Sequence, residues 1–121
     1  MNKTHHENDD LWYAIEYNGI SVPTDSIVDI IAEIPGENDE YDWWWVLNID
    51  GKGFMLFSGG CDCTGWDCQS SVEEHGFFET ALQAAKAAPE AEKYTKRSIK
   101  KWLIEQVEGT RPFGTWEEKN V

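Results

Sequence analysis

Residues Trp43 to Gln69 read WWWVLNIDGKGFMLFSGGCDCTGWDCQ, and this stretch decides the fold. Trp43 to Ile49 alternates as a strand does, with Trp43, Trp45, Leu47 and Ile49 on one face and Trp44, Val46 and Asn48 on the other. Asp50-Gly51-Lys52-Gly53 supplies two glycines for a hairpin turn, and Phe54 to Phe57 is the returning strand. Both faces of the hairpin are apolar. The pattern therefore predicts one face packed on helices and the other carrying exposed tryptophan, with Trp44 and Trp66 exposed and Trp102 in the core.

Upstream, Leu11 to Tyr17 (LWYAIEY) is rich in strand-favouring aromatics and stops at Asn18-Gly19, which predicts a strand and a turn. Ile27 to Ile34 fits two periods. Ile27, Ile30, Ile31 and Ile34 make a helical stripe, whereas Val28, Ile30, Ala32 and Ile34 make a strand face. Its eight residues, its β-branched content and the Pro35-Gly36 stop favour a strand. Glu37 to Asp42 (ENDEYD) is an acidic loop.

Downstream, Gly59 to Gln69 forms a loop and Ser70 to Phe78 returns to the sheet as a weak strand. Thr80 and Gln83 have capping-box spacing and open an alanine-rich helix, Ala81 to Ala88, closed by Pro89. A last helix runs from about Lys96 to Glu108, capped by Thr95 or Ser98 and stopped by Gly109 and Pro112. Ile99, Trp102, Leu103, Gln106 and Val107 form its apolar stripe. Its lysines and Arg97 crowd the positive end of the dipole, which points first to a match with the acidic first half of the chain and otherwise to an acidic or phosphate-bearing partner. The expected architecture is α+β: an antiparallel sheet of about four strands with two C-terminal helices on one face. Residues 1–10 form a flexible acidic tail and 11–121 a single domain, long enough to bury roughly two thirds of its unfolded surface.

The net charge is −13, and it is unevenly spread. Residues 1 to 80 hold 17 of the 23 acids against Lys3 and Lys52, a net of −15, whereas residues 81 to 121 come to +2. Such a field repels nucleic acid and anionic lipid and favours basic partners or cations. No apolar run is long enough to span a membrane, and MNKTHHENDD lacks the hydrophobic stretch of a signal peptide, so a cytoplasmic protein is expected. Three cysteines, an odd number, then suggest reduced thiols or a metal rather than a disulfide framework.

Cys61, Cys63 and Cys68, with His75 seven residues on, match a zinc site in ligand number. Their spacing is not that of paired C-x2-C knuckles, and the favoured reading is reduced thiols with no cofactor. His5 and His6, on the tail, make a poor metal site because ordering them costs chain entropy. Asp62 and Asp67 flank Thr64-Gly65-Trp66 and, with Glu37, Asp39, Glu40 and Asp42, would bring several carboxylates together for a hard cation, but the alternating acids of a calcium loop are missing, and the favoured reading is a turn in which Asp and Thr side chains bond the loop amides. No G-x-S-x-G, Walker or G-x-G-x-x-G motif occurs, and His75 is the single histidine placed to serve a cysteine nucleophile; a non-enzyme is expected.

The segments Gly36 to Glu40 with Asp42-Trp43, Asp50-Gly51, Gly59 to Gln69 and Pro112-Phe113-Gly114 are similar to those of a family of small uncharacterised proteins, found mainly in bacteriophages and bacteria, with a GENDE-x-DW stretch and a GGCDYTGWDCQ loop. The likeness covers most of Ile27 to Gly114. Cys63 departs from it, standing where the family has tyrosine, so a three-cysteine metal site is not implied as common chemistry. The resemblance implies a mobile-element origin and brings no activity.

These readings converge on a non-catalytic, acidic, phage-type accessory protein that binds and blocks a basic, nucleic-acid-binding host protein in the host cytoplasm. It would use Glu37, Asp39, Glu40, Asp42, Trp44, Asp62, Trp66 and Asp67, with no direct nucleic-acid or membrane contact. The alternative is a small-ligand or metal-ion site in the GGCDCTGWDCQ loop, with Trp66 as its stacking surface.

Overall fold

The computed structural model describes residues 10–36, 43–61, 66, 70–92 and 98–109, with the backbone alone at 61. Helix α1 (Asp10–Asn18) comes first, then strands β1 (Ile27–Ile34), β2 (Trp43–Ile49), β3 (Gly53–Cys61) and β4 (Ser70–Phe78), then helices α2 (Ala81–Lys86) and α3 (Ile99–Val107). The strands form one antiparallel sheet in chain order, β1-β2-β3-β4. The expected α+β class, the four strands and the two C-terminal helices on one face are all present. The hairpin is as read: Gly51 and Gly53 take φ of 81° and 101°, and Lys52 N–H closes the turn on the Ile49 carbonyl at 3.0 Å. At Gly53 a Cβ would also clash with the Phe78 carbonyl oxygen, so glycine is required twice over.

The first element differs from expectation. Residues 11–17 are helical, and the physical reason is periodicity: Leu11, Trp12, Ala14 and Ile15 are buried while Tyr13, Glu16 and Tyr17 face outward. Asn18-Gly19 ends this helix instead of turning a hairpin. Gly19, at φ 88°, donates to the Ile15 carbonyl at 2.7 Å, as a left-handed C-terminal glycine does.

With α1 recognised as a helix, the sheet is covered on both faces. On one face α1 packs against Trp43, Trp45, Leu47 and Phe57. On the other, α2 and α3 bury Trp44, Val46 and Leu56 beneath Ala84, Ala85, Trp102 and Leu103. The expected exposed tryptophan face does not exist: Trp44 and Trp66 are 8% and 6% exposed, and Trp102 is fully buried as predicted. The second core also explains the alanine-rich helix, because small side chains let α2 approach the sheet.

Strand β1 is a strand, and it carries two bulges. Its register slips between Ile27 and Asp29 and again between Ile30 and Ala32. Each slip inserts one residue and exchanges faces. Ile27 and Ile30 therefore point toward α1, and Ala32 and Ile34 toward α2 and α3.

The capping box is formed in full, Thr80 Oγ1 accepting from the Gln83 amide while Gln83 Oε1 accepts from the Thr80 amide. Ser98 caps α3 by accepting from the Lys101 amide at 3.0 Å. Of the basic residues at that end, Lys100 pairs with Glu90 at 3.3 Å. This acid lies in the connection from α2 rather than in the acidic first half of the chain.

Candidate functional site

Two clusters of polar side chains break the apolar layers, one on each face of the sheet. Alternation along β2 puts Trp43 and Trp45 side by side toward α1, with ring centroids 5.9 Å apart and planes 19° from parallel. Trp66 closes on them at 6.1 Å and 6.4 Å, and Phe57 stands 5.6 Å from Trp45. Each of two indoles donates its N–H to a carboxylate. Trp45 Nε1 reaches Glu33 Oε2 at 2.8 Å, and Trp66 Nε1 reaches Asp10 Oδ1 at 2.8 Å.

Glu33 is 1% exposed. Burial pushes its carboxyl up to about 7 from an ordinary 4.5; the Trp45 hydrogen bond draws it back and the nearby Asp10 charge adds to the rise. A carboxyl so placed changes charge near neutrality. Its backbone is held from the other side by Gln106 of α3, whose Oε1 accepts from the Glu33 N–H at 2.8 Å and whose Nε2 donates to the Glu33 carbonyl at 2.7 Å. One side-chain amide thus supplies the two hydrogen bonds that a neighbouring strand would give an edge residue.

On the opposite face a groove of about 240 Å³ is lined by Trp44, Ser58, Ser71, Val72, Glu73 and His75, among others. Ser58 stands opposite Trp44 on β2 and opposite Glu73 on β4. Between Met55 and Phe57 the β3–β4 register slips, β4 carrying the extra residue, and Gly76 takes φ 117° there. This bulge seats His75 with its Nε2 2.7 Å from Ser58 Oγ and its ring 4.9 Å from that of Trp44 at 26°. Nδ1 lies 4.0 Å from Glu73 Oε2, and in the tautomer protonated on Nδ1 the Ser58 hydroxyl donates to Nε2. Burial holds the imidazole below its ordinary range, with the Glu73 charge opposing, so the ring is neutral at pH 7.

The residues singled out in the sequence divide among these places. Trp44 walls the groove and Trp66 belongs to the indole cluster, and both are buried where exposure was expected. Indole is large and the sheet offers it two covered faces, so burial gains more than display. Glu37, Asp39, Glu40, Asp42, Asp62 and Asp67 lie outside the described residues, as do Cys63, Cys68 and the side chain of Cys61. Among the described residues no group of three His, Cys, Asp or Glu is placed to hold a metal ion. No helix among them is long and apolar enough to cross a membrane. Asp10, Glu33 and Ser58 were not singled out, and Gln106 was read only as part of the inward stripe of the last helix. Glu33 had a signal, a lone acid in the apolar run IIAEI; Ser58, seventeen positions from His75, had none.

No protein-family model, curated protein or solved structure matches the chain.

Proposed function

We propose that this chain is an acidic, phage-type accessory protein that engages a basic, nucleic-acid-binding host protein and blocks it. The observation that carries the reading is what the surface is left with once the indoles are accounted for. Every described tryptophan is buried, so no indole platform is on offer among the described residues. Glu16, Asp25, Asp50, Glu73 and Glu79 reach solvent, and Lys52 is the one base of the described residues up to 80. A −15 field over residues 1 to 80, with that exposure, attracts a basic surface and competes with the phosphates such a surface was built to hold. The ligand-binding alternative has weaker support. Its stacking surface, Trp66, has its ring against Trp43 and Trp45 and its N–H on Asp10.

The test is capture from bacterial lysate at low and high salt, followed by competition between the chain and nucleic acid for whatever is retained. The expected outcome is a basic nucleic-acid-binding protein held at low salt only and released from its nucleic acid by the chain. Binding indifferent to salt, or a partner that keeps its nucleic acid when the chain binds, sinks the reading.

A further inference from the structure

A serine hydroxyl is a weak nucleophile until a base takes its proton. Ser58 Oγ, 2.7 Å from His75 Nε2, is within the reach that a general base requires. Trp44, stacked on the imidazole, fixes the plane of the ring, and Glu73 lies beyond Nδ1. Hydroxyl, imidazole and carboxylate follow in the order by which serine is activated for acyl transfer on unrelated folds. The arrangement depends on a β-bulge at Gly76, a device that re-aims side chains beside reactive sites.

We propose that Ser58 is a reactive serine that takes the acyl group of a small carboxylic ester, with His75 as its general base and Glu73 as a positioning residue. Ser58 Oγ adds to the ester carbonyl carbon while its proton passes to His75 Nε2. The carbon–oxygen bond to the alcohol breaks, the alcohol leaves with that proton, and an acyl-serine ester remains. Water, deprotonated by the same nitrogen, then releases the carboxylic acid and restores the hydroxyl. The volume of the groove, about 240 Å³, suits an acyl chain of a few carbons against the Trp44 wall. The neutral imidazole can accept a proton at pH 7. Gly59 and Gly60 beside the serine are paired in the β3–β4 ladder, and Ser71 brings a further hydroxyl to the groove. Lacking one donor of a backbone oxyanion hole costs on the order of 10²–10³ in rate. Acylation is therefore expected to be slow and release of the acid slower still, so that the acyl-serine accumulates, and it depends on no binding partner.

The experiment treats the full chain with 4-nitrophenyl acetate and, separately, with a fluorophosphonate probe, and locates the label by peptide mass spectrometry. The expected result is one equivalent on Ser58, none in Ser58→Ala, and a rate about a hundredfold lower in His75→Gln. Glu73→Gln should keep the label on Ser58 and move the pH–rate profile. That profile, measured on the unaltered chain, should show one ionisation below the ordinary imidazole value of about 6.5 and then a plateau. It needs no variant to fold. Label on lysines or the N-terminus that survives Ser58→Ala, no label at all, or a rate that climbs with pH without a plateau, overturns the proposal.

Discussion

At the scale of the residue, Glu33 gives the chain a pH response near neutrality. Its folded carboxyl titrates at about 7 against an ordinary 4.5, so the folded state holds this proton more tightly than the unfolded chain does. The stability it permits is complete below pH 4.5, declines as pH rises to 7, and is flat beyond. The difference amounts to about 3 kcal/mol. Glu33→Gln keeps an oxygen to accept from Trp45 Nε1 and removes the charge. Thermal unfolding should find the variant more stable than the parent by about 2–3 kcal/mol at pH 8 and equal to it near pH 4. A variant less stable at pH 8 would mean that the ionised carboxylate is the form the fold is built around.

At the scale of the element, the contact between β1 and α3 rests on one side chain. Replacing Gln106 by leucine keeps the volume and strips both partners from the Glu33 backbone, whose residue is fully buried. Two orphaned groups at about 1–3 kcal/mol each should lower the urea midpoint by the equivalent of about 2–6 kcal/mol. A loss under about 0.5 kcal/mol would show that water reaches this edge. The elements also show which signals a sequence carries. The β2–β3 hairpin was legible because strict alternation meets a two-glycine turn, two independent cues for one answer. Residues 11–17 were not, because four large side chains in seven residues favour a strand by type while their spacing favours a helix, and spacing prevailed. The double period of Ile27 to Ile34 was itself informative. Two bulges move the apolar side chains from one face to the other, and the result on paper is a pattern between helix and strand. The sites were less legible than the elements. Glu33 meets Asp10, Trp45 and Gln106 from three other elements, and His75 meets Ser58 through a register slip that no local spacing announces.

At the scale of the whole molecule, two cores share one sheet, and the charge outside them is unbalanced. A net −13 on a chain of this size repels itself in the compact state. Raising salt from about 0.01 M to about 1 M shortens the screening length from about 30 Å to about 3 Å. The melting temperature should therefore rise by several degrees, while capture of a basic partner falls over the same range. The opposite slopes separate the two effects in one titration. A flat melting temperature would show that ion pairs such as Lys100 with Glu90 already offset the repulsion.

The amide of Gln106 has a further consequence for crowded solutions. A sheet edge with open N–H and C=O groups is a template on which another chain can lay a strand, the first step toward fibrils. At Glu33 both groups are already taken, by a side chain of the same molecule. The bond that completes the fold also acts as a guard against aggregation, and losing it would expose the protein to self-association before it unfolds.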